Sequence, residues 1–182
     1  MDNGAINYRR FLEGYDNGIV EIVEEYKDPL ILYLNSYVKN IYTAEELAED
    51  TFFKLMVKKP RFSGKSSFKT WLYAIGRNIA MDHVRRTSKL ADELSEEIIA
   101  AEEDLERSYL REEQKIILHR RLAGLKSEYR VALYLTFFEE LSNEEAAKIM
   151  KKSKRQIEML VYRAKQSLKN QLEKDGFVYG EF

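Results

Sequence analysis

The chain has 182 residues, 45% of them apolar and 12% aromatic, with a formal net charge of -1. That apolar share is enough to bury a core and excludes an unfolded acidic or basic tail. The absence of cysteine excludes disulfides, thiolate metal sites and cysteine nucleophiles.

The near-zero charge hides four alternating blocks. Residues 1–57 carry 5 basic against 11 acidic side chains, 58–89 carry 9 against 1, 90–113 carry 2 against 10, and 114–182 carry 14 against 9. Basic blocks separated in this way raise the local concentration of polyanions. The opening Met1-Asp2-Asn3-Gly4 lacks the basic-then-apolar pattern of a secretory leader, and no apolar run reaches the ~20 residues that span a bilayer. The sequence therefore predicts a cytoplasmic protein with no membrane insertion.

Apolar residues recur mostly at spacings of three and four, and only two prolines interrupt them, so the fold class expected is all-α without internal repeats. A first helix is predicted over residues 19–38, with Ile22, Val23, Tyr26, Leu30, Tyr33, Leu34 and Tyr37 inward and Pro29 set to kink or split it. A second is predicted to start after Thr43 as N-cap, with Glu46 in the capping-box position, and to run to about Lys58. Pro60 and Gly64 mark a loop over 59–67. A third helix is expected over 67–86, burying Phe68, Leu72, Ile75 and Ile79.

Residues 88–111 are acidic with scattered apolar positions and read as a linker, or else as a solvated amphipathic helix of either neighbour. Helices are then expected over 112–123 and 126–138. The domains predicted are 1–87 and 112–175, followed by a tail at 176–182.

The most specific local signal lies at 142–169. Ser142-Asn143-Glu144-Glu145 is a capping box, and Ser153-Lys154-Arg155-Gln156 is a second. They bracket a short helix, a turn at Lys151-Lys152, and a longer helix whose inner face carries Ile157, Leu160, Val161, Ala164 and Leu168. Residues 148–169 hold eight basic side chains and one acidic. Two short helices around a tight turn, the second basic at its start, describe a helix-turn-helix that reads duplex DNA. Arg155, Glu158 and Gln166 have the chemistry to read base edges; Lys151, Lys152 and Lys154 suit phosphates.

A second candidate is the segment KKPRFSGKSSFKTWLYAIGRNIAMDHVRR at 58–86. It interleaves cations with Phe62, Phe68, Trp71 and Tyr73. On a helix, Trp71, Asn78, Asp82 and Arg85 share a polar stripe. Rings beside cations suit unpaired bases, and Gly64 with Ser63, Ser66 and Ser67 would line a pocket for one extruded base. The alternative is that Trp71 is simply core.

With these motifs in order, the sequence resembles an extracytoplasmic-function sigma factor of the sigma-70 family over about residues 19–172. Residues 44–52, AEELAEDTF, resemble its helix that docks on the polymerase clamp. Residues 62–72, FSGKSSFKTWL, followed by Ile75-Gly76-Arg77-Asn78 and Arg85-Arg86, resemble the segment that opens the -10 element. Residues 141–165 resemble the helix-turn-helix that reads the -35 element.

The resemblance implies two helical domains, with Phe62, Ser63, Gly64, Lys65, Ser66, Phe68, Trp71, Arg77, Asn78, Arg85 and Arg86 at the -10 element. It places Lys151, Lys152, Ser153, Lys154, Arg155, Gln156, Glu158, Met159, Tyr162 and Arg163 at the -35 element, and Glu46, Glu49, Phe52 and Phe53 at the polymerase. Its partners would be core RNA polymerase, promoter DNA and an anti-sigma factor. Where the family usually reads Thr-Val-Lys-Ser-Arg, this chain reads Gln156-Ile157-Glu158-Met159-Leu160, so the resemblance leaves its -35 preference open.

No enzyme is expected. His83 and His119 lie far apart in the chain, and no GxxxxGK[ST], HExxH or GxSxG occurs. No metal, cofactor or small-molecule substrate is expected either. A stand-alone helix-turn-helix regulator would leave 44–86 unexplained, and an all-α adaptor would use the charge blocks only for docking.

Overall fold

The computed structural model describes residues 2–91 and 122–174. The linker beyond Ala91, most of the helix expected at 112–123 and the tail at 176–182 lie outside the described residues. Within them the chain is all-α. Helices α1 (Asn3–Leu12), α2 (Asn17–Val38), α3 (Ile41–Lys58) and α4 (Phe68–Ala91) build the first half. The second half holds α5 (Ser127–Leu133), which runs into a π-helical turn (Tyr134–Phe138), then α6 (Asn143–Met150) and α7 (Lys154–Lys174).

Helices α2, α3 and α4 form a three-helix core around Ile22, Leu30, Leu34, Leu55 and Leu72, none of them more than marginally exposed. Gly76 of α4 faces Leu30, Leu34 and Thr51, where an added Cβ would sit at 3.3–3.5 Å, so α4 approaches α2 and α3 closely there. Pro29 lies inside α2 without splitting it. The neighbours that follow it, Leu30, Ile31, Tyr33 and Leu34, are all buried, and that packing outweighs the lost N–H donor.

The α3 N-cap is Asn40 rather than Thr43. Lys39, at φ 55, ends α2 in the left-handed region, and extended Asn40 then accepts the Thr43 amide N–H at 2.9 Å. In α4, Phe68 and Leu72 are fully buried, whereas Ile75 and Ile79 are half-buried; Tyr73 and Ala80 complete the inner face.

Helix α1 was not read from the sequence. Its buried positions, Gly4, Asn7, Tyr8 and Phe11, are spaced as one helical face, but only two of them are large and apolar. It crosses α2 at Gly18, where a Cβ would lie 2.3 Å from the Asn7 carbonyl oxygen.

The two halves pack against each other in one continuous core. Tyr33 of α2 stacks on Tyr73 of α4 at 4.7 Å and reaches Tyr134 of the π turn at 6.4 Å. Arg130, 5% exposed, donates across the halves to the Ser36 carbonyl at 2.6 Å. Where the sequence predicts one helix over 126–138, the ladder widens after Leu133, so that the Glu139 amide bonds the Tyr134 carbonyl. The Glu139 side chain at the end of this turn is buried.

Burial pushes the Tyr8 and Tyr37 phenols up to about 12, above the ordinary value near 10. The folded state therefore keeps protons that the unfolded chain releases. Their stabilisation is fully present below about pH 10 and is lost as pH rises through about 12. Urea midpoints are expected to hold level up to about pH 9 and then to fall steeply; a midpoint unchanged at pH 12 would contradict this.

Candidate nucleic-acid interface

The loop before α4 is exposed at Ser63, Gly64 and Lys65, with Ser66 and Ser67 half-buried. Gly64 has φ +71, a left-handed turn that β-carbon-bearing residues enter at a cost. Behind the loop stands an aromatic cluster. Phe62 packs on Phe68 at 5.7 Å and on Trp71 at 5.1 Å, and Phe68 lies 5.5 Å from Trp71.

Phe68 is 0% exposed. Its assignment to the DNA surface is therefore corrected: the ring is the floor of the cluster, enclosed by Tyr8, Tyr26, Phe62 and Trp71, and no base can reach it. Trp71, Arg77 and Asn78 are half-buried, while Asp82, Arg85 and Arg86 are exposed. Asp82 holds the last two in place, through a 3.4 Å pair with Arg85 and a carbonyl bond to Arg86. Arg77 lies close enough to Tyr37 to work against the effect of burial on that phenol.

Both capping boxes form in the helix-turn-helix. Ser142 Oγ accepts from the Glu145 amide, and Glu145 Oε2 accepts from the Ser142 amide. Gln156 Oε1 accepts the Ser153 amide at 2.7 Å, and Ser153 Oγ accepts the Gln156 amide. Lys151, at φ 55, makes the left-handed stop of α6. Ile157 and Ala164 of α7 are fully buried against α5 and α6. The outward face shows Arg155, Gln156, Glu158, Met159, Tyr162 and Arg163, with Tyr162 62% exposed.

Two of the three lysines read as phosphate ligands already have carboxylate partners. Lys154 pairs with Glu144 at 2.5 Å, and Lys152 with Glu128 at 2.7 Å. The Lys154 hydrogen bond lowers the Glu144 carboxyl below its usual range. Both pairs are solvent-accessible, so a phosphate can replace the carboxylate at little cost.

A third surface is an apolar groove between α2 and α3, lined by Val23, Lys27, Ile31, Ala48, Glu49 and Met56. Beside it Val20, Phe53 and Val57 are at least half exposed, an unusual apolar display for α-helices. Glu46, Glu49 and Phe53 lie on the exposed side of α3. Phe52 is 5% exposed, packed into the core, and its ring also lines the groove beside Ala48 and Glu49. The α2 side of the groove was legible only as the 3–4 spacing of Val20, Val23 and Lys27.

Sequence reasoning also missed the contact between the halves at the start of α4. Lys69 Nζ pairs with Glu139 at 2.7 Å, and Tyr73 Oη donates to the same carboxylate at 2.8 Å. Glu145 Oε1 accepts from Ser67 and Thr70 at 3.3 and 3.2 Å. Burial by itself would raise the Glu145 carboxyl; the hydrogen bonds from Ser142, Thr70 and Ser67 outweigh it and hold the carboxyl below its usual value. Among the described residues no group of acidic or histidine side chains is arranged to hold a metal, and no helix is long and apolar enough to cross a membrane.

The Sigma-70 region 2 family matches residues 22–90, and the Sigma-70, region 4 family matches 115–168. The RNA polymerase sigma factor YlaC of Bacillus subtilis is 32% identical over 162 residues, spanning 87% of this chain and 94% of that one.

The chain belongs to the sigma-70 family of RNA polymerase sigma factors.

The ECF sigma factor SigM of Bacillus subtilis is 29% identical, over 83% of this chain and 93% of that one, and sets this sigma factor in the extracytoplasmic-function group. Among solved structures, the sigma factor RpoE of Bartonella quintana, in complex with the anti-sigma factor NepR, superposes with a TM-score of 0.68 at 25% identity, covering 84% of this chain and 95% of that chain. As a sigma factor, the protein directs promoter-specific initiation of transcription.

Proposed function

We propose that this sigma factor divides the task as follows. The loop 62–67 captures an unstacked base of the -10 element, with Trp71, Arg77, Asn78, Arg85 and Arg86 beside the melted edge. Helix α7 reads the -35 element in the major groove through Arg155, Gln156, Glu158, Met159, Tyr162 and Arg163, while Lys151, Lys152, Ser153 and Lys154 face phosphates. The groove between α2 and α3, with Glu46, Glu49, Phe52 and Phe53, takes core RNA polymerase. Residues 1–87 and 112–175 are the functional domains, and 88–111 connects them. The protein acts by binding, without covalent chemistry, and works in the cytoplasm beside the polymerase. An anti-sigma factor is a further partner, as it is for RpoE.

One observation carries this reading: a single chain presents an exposed cationic loop against an aromatic cluster and a helix-turn-helix with a capping box on each helix and an outward arginine. Neither surface alone accounts for both. The two elements lie about 25 base pairs apart, or about 85 Å at 3.4 Å per pair. A compact fold of this length has a radius of gyration of about 16 Å. The contact of α6 with α4 must therefore open before both elements are engaged.

Reconstitution with core polymerase on a genomic fragment library, with start sites read out, tests the assignment. Promoter-specific starts are expected, and their absence sinks it. Arg155→Ala is expected to weaken -35-dependent initiation about tenfold to a hundredfold while leaving polymerase affinity unchanged. Equal activity on every promoter would remove Arg155 from the base-reading set.

A further inference from the structure

Helix α1 lies before the stretch matched by the region 2 family, which begins at residue 22. It nevertheless grips both ends of the 62–67 loop. Upstream, Tyr8 Oη donates to the Pro60 carbonyl at 2.8 Å, and the Lys59 ammonium stands 4.9 Å from the centroid of the Phe11 ring. Downstream, Asp2 Oδ2 accepts the Phe68 amide N–H at 2.6 Å. The other oxygen of the same carboxylate accepts from Ala5 and caps α1 itself. Between these points the Tyr8 ring meets Phe68 at 5.6 Å and Trp71 at 5.3 Å.

The loop tip has little of its own to hold it. Ser63, Gly64 and Lys65 are exposed, nothing lies within 4 Å of a Cβ added at Gly64, and the Ser66 hydroxyl bonds the carbonyl of the next residue. The glycines of this region explain how α1 comes so near. A Cβ at Gly4 would fall 2.4 Å from the Phe68 ring, and one at Gly18 would strike α1.

We infer that α1 braces the promoter-reading loop, with Tyr8 and Asp2 as positioning residues for capture of an unstacked base. This rests on the role given to the loop under Proposed function. The physical reason is entropic. A loop ordered only at the moment of binding loses free energy to its own ordering, and a misplacement of about 1 Å slows the step it serves. Fixing both ends in advance removes much of that cost. Asp2 is suited to the task because its one carboxylate satisfies the start of its own helix and that of α4, whose first residue lies 66 positions further on.

The test uses the full chain with core RNA polymerase. Tyr8→Phe keeps the ring and removes the bond to Pro60. Asp2→Asn keeps one carbonyl oxygen to cap α1 and removes the second acceptor. Three quantities are read: the rate of open-complex formation on a duplex promoter, affinity for core polymerase, and the emission of Trp71, the only tryptophan in the chain.

The double variant is expected to open promoters about tenfold more slowly, to discriminate less against a substituted base at the captured position and to shift Trp71 emission, with core affinity within about twofold of the parent. Tyr8→Phe alone, which leaves the packing intact, is expected to slow opening about threefold. Opening rates equal to the parent would overturn the inference. So would parallel losses of opening rate and core affinity, the mark of a helix that only stabilises the fold. A parent that initiates at no promoter would sink the reading of the loop itself; a normal parent beside an unaffected double variant would sink the brace alone.

Discussion

Phe68→Ala is expected to unfold more easily than the parent by about 3–5 kcal/mol. The ring is 0% exposed and touches four other aromatic side chains, two from α1 and α2 and two from its own segment. The α1 backbone at Gly4 passes against it, so the walls have little freedom to collapse into the space left behind. For a protein of this size such a loss lowers the thermal midpoint by about 6–20 °C. Chemical denaturation measures it directly. A loss below about 1 kcal/mol, combined with a selective defect in promoter binding, would return Phe68 to the DNA surface.

Arg130→Ala is expected to cost on the order of 3 kcal/mol or more and to loosen the second half from the first. Its guanidinium donates to the carbonyls of Ser36, Ala123 and Leu125 at 2.6, 3.2 and 3.1 Å. Those bonds tie α2 to the turn that leads into α5. Truncation leaves buried carbonyl oxygens without these donors and opens a cavity. Arg130→Lys should recover less than half of the loss, because an ammonium cannot reproduce the planar fork that reaches three carbonyls in different directions. Amide exchange offers the second readout, with faster exchange expected in α5 and α6. Full rescue by lysine would mean that charge, rather than the fork, is what the site requires.

The interdomain contacts of Glu139 and Glu145 bear on how such a protein is held before it meets a promoter. Both carboxylates sit on groups at the start of α4, the helix that follows the 62–67 loop. Bridging two promoter elements about 85 Å apart requires those bonds to break. The energy for that exchange has to come from contacts with polymerase and DNA that the closed arrangement does not make.

How much of this was legible beforehand depended on the range of the interaction. Both capping boxes of the helix-turn-helix were readable because donor and acceptor lie three residues apart, and the inward face of α7 because its period is local. The all-α class followed from the same spacing, and the two basic blocks from simple counting. Misreadings arose where a local signal met a non-local one. Thr43 has cap chemistry, but the left-handed stop at Lys39 had already placed the boundary at Asn40.

The sequence by itself determined most of the helices, the two capping boxes of the helix-turn-helix and the chemistry available on each face. Only the tertiary structure decided that a polar N-terminal segment becomes a helix against the loop, that the ladder widens into a π turn after Leu133, and that Lys69 meets a carboxylate 70 residues away. The reason is geometric. Periodicity states that a stripe will be covered but carries no record of what covers it, because contacts between distant residues arise from packing the whole chain at once.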